Sequence, residues 1–122
     1  MAMSEKAQLP PKVQQRILLL QQLQQQLQSL VMRRQQLQLE LMEVENALKE
    51  LEDVGDDVPI YKSVGALLVR TEKAKVVQEL QDRREVLKLK IEQVGREEER
   101  AREQIEEIRS KLEKELGPGA RI

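Results

Sequence analysis

Two stretches of this chain carry the same sevenfold repeat of apolar residues, and their matching lengths constrain the fold more than any other feature. In the first, one series runs Val13, Leu20, Leu27, Arg34, Leu41, Leu48 and its companion Arg16, Leu23, Leu30, Leu37, Val44, Leu51; ten of the twelve positions are apolar. In the second, the series are Val77, Arg84, Ile91, Glu98, Ile105, Leu112 and Leu80, Leu87, Val94, Ala101, Ile108, Glu115, with nine of twelve apolar. Apolar residues at alternating three- and four-residue steps, sustained over this many heptads, are the signature of a coiled coil. At a rise of about 1.5 Å per residue each patterned stretch is roughly 60 Å long, too long for one compact globule. The two are joined by a short segment, so they pack as antiparallel neighbours.

That joining segment obeys a different rule. From Val58 to Thr71 the chain reads Val-Pro-Ile-Tyr-Lys-Ser-Val-Gly-Ala-Leu-Leu-Val-Arg-Thr. Pro59 steers Val58 away from helical backbone, and Gly65 separates two short runs rich in β-formers, Ile60–Val64 and Leu67–Arg70. The expected fold is therefore mostly α: a long antiparallel two-helix coiled-coil hairpin with a short β-hairpin inserted at the helix–helix turn. An isolated two-stranded hairpin is marginal in water, so its strands need partners from other chains. This makes residues 58–71 an assembly element.

The chain divides into five segments on this reading. Residues 1–9 form a flexible tail, 10–53 the first helix, 54–71 the turn and β-hairpin, 72–116 the second helix, and 117–122 a second flexible tail. Pro10 and Pro11 suit a first helical turn, where a missing N–H is no loss. Gly55 ends the first helix, Thr71 caps the second with Glu72 in its first turn, and Gly117-Pro118-Gly119 stops it. Gly95 lies mid-helix, read either as a tolerated glycine or as a hinge. Arg34 and Glu98 are the mid-helix seam charges; exposure at the seam edge is the expected arrangement, a cross-helix pair the alternative.

Composition removes most chemistry. Aromatics are 1% of the chain, charged residues 35%, and there is no His or Cys. Such a sequence cannot build a large aromatic core, and it lacks the usual zinc ligands, a thiol nucleophile and a histidine base. Acidic runs such as Asp56-Asp57 and Glu97-Glu98-Glu99 fall in a turn or on solvated helix faces, not across a pocket. No phosphate-binding glycine loop is present, and a net charge of −1 with Tyr61 as the single aromatic offers nucleic acid neither a basic face nor a stacking platform. No enzyme, catalytic residue, metal or cofactor is expected. The absence of a signal-like or membrane-length apolar run points to a cytoplasmic protein without membrane contact.

One anomaly points to binding. Ile17, Leu18, Leu19 and Leu20 are consecutive, spanning about 300° of helix, whereas a two-helix coiled coil buries a stripe. Leu18, with Leu19, therefore faces outward. The polar positions around them are mostly Gln as far as Gln38. At the same end Ile105, Ile108, Leu112 and Leu116 offer further apolar surface. Exposed apolar patches usually mark interaction sites, the alternative being overpacking or a third helix.

The segments Ile60-Tyr61-Lys62-Ser63-Val64-Gly65, Leu67-Leu68-Val69-Arg70-Thr71 and Val76-Val77-Gln78-Glu79-Leu80, with Leu9-Pro10-Pro11-Lys12-Val13-Gln14, closely resemble prefoldin β-type subunits, particularly the archaeal form. A single hairpin insert matches the β type; the α type carries two. The resemblance implies a hexamer of two α-type and four β-type subunits, whose hairpins form a β-barrel platform from which coiled coils extend. It implies an ATP-independent holdase that binds unfolded or nascent polypeptides near the coiled-coil tips and passes them to a group II chaperonin. Carried onto this chain, client contact falls to Val13, Ile17, Leu18, Leu19 and Leu20, beside Ile105, Ile108, Leu112 and Leu116. Assembly falls to Ile60, Tyr61, Val64, Gly65, Leu67, Leu68 and Val69. The rival reading is a structural coiled-coil adaptor that dimerises and binds one specific partner.

Overall fold

The computed structural model describes residues 9–117. Helix α1 spans Pro11–Glu52, strands β1 and β2 span Ile60–Val64 and Leu67–Thr71, and helix α2 spans Lys73–Leu116. The tails expected at 1–9 and 117–122 fall outside the described residues, apart from Leu9 and Gly117. The chain divides into two compact units, each taking part of both helices. A termini unit runs up to Arg33 and resumes at Val94; a hairpin unit covers Arg34–Gln93.

In the termini unit the heptad positions close on one another. Val13, Leu20 and Leu23 of α1 form one buried cluster with Ile105 and Leu112 of α2, and Leu9, Ile17, Leu27 and Ile108 pack against it. Burying a leucine or isoleucine side chain stabilises by roughly 1.5–3 kcal/mol, so this cluster is the main local source of stability. At its end two polar seam residues, Arg16 and Glu115, meet as an ion pair. The start of α1 is fixed by the Gln14 amide donating to the Pro10 carbonyl at 3.1 Å and the Gln14 side chain donating to the Leu9 carbonyl at 2.8 Å. Its Pro11 occupies the first helical position, where an N–H would have no helical partner. Gly117, with φ of 88°, turns the chain out of α2 while its amide donates to the Glu113 carbonyl at 2.9 Å. That left-handed geometry beyond a helix end is why glycine stands there.

One detail of this unit differs from expectation. Glu98 does not lie exposed at the seam edge: it is 3% exposed, and Arg102, one turn on, donates to its carboxylate at 3.3 Å. A seam position in mid-helix points inward, and a short carboxylate there cannot reach water as lysine does. Gly95 lies within an unbroken α2, with open space where a Cβ would stand.

In the hairpin unit Leu37, Val44 and Leu87 are buried, and Arg83 of α2 pairs with Glu40 of α1. Helix α1 tightens at its end, the Asp53 and Val54 amides donating to Glu50 and Leu51 carbonyls three residues back. Lys73 then holds the connection in place, donating to the Val54 carbonyl at 2.6 Å with Asp56 at 3.6 Å. Thr71 belongs to β2 and not to the cap: the Glu72 carbonyl accepts the first helical bond, from Val76 at 3.1 Å. The strands are antiparallel, pairing Ile60 with Thr71 through to Val64 with Leu67. Gly65 leads the two-residue turn at φ 58°, and no described non-glycine residue has positive φ. A positive φ at the first turn position alone is the type II′ pattern, which suits hairpin twist and demands glycine.

Candidate interaction surfaces

Residues opposite one another in an antiparallel ladder share a face, and alternation sends their neighbours to the other. The register therefore puts Ile60, Lys62, Val64, Leu67, Val69 and Thr71 on one face and Tyr61, Ser63, Leu68 and Arg70 on the other. The first is apolar but for Lys62 and Thr71, and it is largely uncovered. Leu67 is 68% exposed, and Val64 and Val69 are also exposed. On the second face Leu68 is 73% exposed and Tyr61 61%. Ile60 is half-buried at the base of the hairpin.

One side chain ties this hairpin to α2. The Lys62 ammonium donates to Glu79 at 2.9 Å. That hydrogen bond, reinforced by the positive charges of Lys62 and Lys75, holds the Glu79 carboxyl below its ordinary range. Each strand still presents one unpaired edge, the arrangement that recruits further strands. Gly65 stands in the turn that joins the two strands.

The residues expected at the coiled-coil tip separate into two groups. Val13, Leu20, Ile105 and Leu112 lie in the buried cluster, with Ile17 and Ile108 packed partly against it. These six residues therefore serve the packing between α1 and α2 in this chain. Leu18, 59% exposed, and Leu19, 46% exposed, remain open to solvent, as does Leu116 at the end of α2. The run Ile17–Leu20 thus alternates roles: its ends feed the seam and its middle is available.

Sequence reasoning did not single out Met32, also exposed on α1 in this unit. Its signal was a spacing of fourteen residues from Leu18, which returns it to the same helix face.

Among the described residues no group of three or more His, Cys, Asp and Glu side chains is arranged to hold a metal ion. Nor, among them, is any helix long and apolar enough to cross a membrane.

Comparison with known proteins agrees with this architecture. Residues 14–118 match the family model described as prefoldin subunit. The prefoldin subunit beta of Archaeoglobus fulgidus is 42% identical over 113 residues, covering 93% of this chain and 97% of that protein. The prefoldin subunit beta of Thermococcus gammatolerans is 44% identical over 110 residues, covering 90% and 94%. The crystal structure of the prefoldin beta subunit from Thermococcus strain KS-1 superposes with a TM-score of 0.82 at 39% identity, covering 89% of this chain and 96% of that one. Two heptad-built helices around a single type II′ hairpin, matched along nearly their whole length, place the chain in the prefoldin subunit family, whose members are chaperone components and not enzymes.

Proposed function

We propose that the chain is a subunit of an ATP-independent cytoplasmic holdase, which binds non-native proteins at its coiled-coil tips and delivers them to a group II chaperonin. Assembly runs through the hairpin. The apolar face carrying Val64, Leu67 and Val69 is covered by hairpins of other subunits, α-type subunits among them, in the α2β4 hexamer that the family resemblance implies. Tyr61 and Leu68 serve the same contacts from the opposite face.

The observation that carries the client-binding half is the exposure of Leu18 and Leu19 beside a seam that has already closed on Ile17 and Leu20. Two adjacent leucines left in water on a helix with a complete core contribute nothing to that core. Their use is in contact with something else. Such contacts are weak singly. Covering about 100–200 Å² per tip contributes roughly 2.5–5 kcal/mol before ordering costs, at about 25 cal/mol per Å². Several tips acting on one client convert this into a firm hold through effective concentration, and release needs no nucleotide.

The test is Leu18→Ser combined with Leu19→Ser in the assembled complex. Helical signal and assembly are expected to match wild type, because neither residue is in the seam, while suppression of client aggregation falls markedly. Undiminished suppression would remove the tip from the mechanism.

A further inference from the structure

The two helices of the termini unit present opposite surface chemistry. Between Lys12 and Arg33 every exposed residue of α1 is uncharged: glutamines, Ser29, and the apolar Leu18, Leu19 and Met32. Arg16 is the one charge in that interval, and it is half-buried against Glu115. Over the matching part of α2, from Arg96 to Leu116, the exposed positions that lack a charge are Gln104, Ser110 and Leu116 alone. In a chain with 35% charged residues, so long an exposed face without any sets α1 apart from α2.

We propose that this neutral face is a client-binding strip that carries contact from the Leu18–Leu19 pair along α1 to Met32. The inference rests on the holdase reading above and names what lies beyond the tip in that role. Its occupant is an extended segment of non-native polypeptide. What such segments share, whatever their sequence, is an unpaired backbone of N–H and C=O groups seeking partners. The glutamine side chain offers two donors and an acceptor, so a row of them satisfies either kind of backbone group. Leu18, Gln25 and Met32 recur every seven residues and so stand on one face, which sets apolar contacts at both ends of an amide-lined stretch. At about 1.5 Å per residue the face from Gln14 to Met32 is roughly 27 Å long, room for about eight residues of extended chain. The absence of charge fits this occupant specifically. Clients carry either sign, and a charged face like that of α2 repels one class or the other.

The sequence contains no cysteine, so single-cysteine variants report one position each. Leu18→Cys, Gln25→Cys and Met32→Cys on α1, with Glu103→Cys on the exposed face of α2 as reference, are labelled with a short photo-crosslinker in the assembled complex. The probe is reduced, carbamidomethylated α-lactalbumin, a permanently unfolded chain. All four positions are exposed, so labelling leaves the seam intact. Cross-linking several-fold above Glu103→Cys at all three α1 positions is the expected result. Cross-linking at Leu18→Cys alone would overturn the strip and leave the tip reading standing. Absence at all four would overturn both. Equal yield at Glu103→Cys would deny α1 any preference, and capture of a second copy of this chain by Gln25→Cys, with the probe excluded, would show the face to be a subunit contact.

Discussion

The termini unit and the β-hairpin both hold apolar residues in quantity, yet they spend them differently. In the termini unit Val13, Leu20, Leu23, Ile105 and Leu112 bury one another within a single chain, and among the described residues the large apolar side chains left exposed are Leu18, Leu19, Met32 and Leu116. In the hairpin nearly every apolar side chain is exposed, and the ladder is held by its own backbone bonds, the Gly65 turn and the Lys62–Glu79 contact. The first region packs its apolar residues within the chain and leaves a small surplus exposed. The second leaves its apolar residues uncovered, which is why permanent contact is proposed for it. Obligate interfaces resemble a core cut in half, which describes the hairpin face and not the tip.

The contrast is sharpest in truncation experiments on the isolated chain. Leu20→Ala or Leu112→Ala removes a fully buried side chain, and each is expected to destabilise by about 2–5 kcal/mol in denaturant unfolding. Leu68→Ala, on the open hairpin, is expected to fall within about 0.5 kcal/mol of wild type in the same assay. Equal losses at both places would break the distinction.

A smaller effect sharpens the account of α2. Gly95→Ala meets open space in an unbroken helix and is expected to raise stability by up to about 1 kcal/mol, read from unfolding curves. If the variant is also fully active, α2 does not use Gly95 as a hinge.

The smallest effect concerns the hairpin's one ionic tether. Glu79 titrates below its ordinary range in the folded chain, chiefly because Lys62 hydrogen-bonds its charged form. A depressed carboxyl pKa contributes stability above the unfolded value and loses it as pH falls through the folded one. The melting difference between wild type and Glu79→Gln is therefore expected to be small at neutral pH and to vanish below the ordinary carboxylate range. Both groups are exposed, so the difference also shrinks with added salt.

Much of this was readable from residues. The two heptad series locate the seam: of their twenty-four positions only Glu115 is exposed, and it is paired with Arg16. Pro59, Gly65 and the β-formers on either side of Gly65 mark the hairpin to within a residue of β2's end. The tip was less legible for a physical reason. Val13, Leu20, Ile105 and Leu112 satisfy the seam pattern and the apolar-patch pattern at once, and composition cannot say which use wins; only the packed partner helix decides it. Glu98 shows the converse limit. Its charge suggested exposure, whereas its heptad position fixed its burial. Met32 and the uncharged length of α1 needed burial and charge read together along one face.

The central claim is that the hairpin is half of an interface. Its most direct test is the solution mass of the chain alone, mixed with an α-type subunit, and again with Leu68→Asp or Val64→Asp in place of wild type. A complex of about six chains on mixing, lost in either aspartate variant while far-UV helicity persists, is the predicted result. A stable dimer of this chain, indifferent both to the α-type subunit and to the aspartates, would contradict it and restore the coiled-coil adaptor.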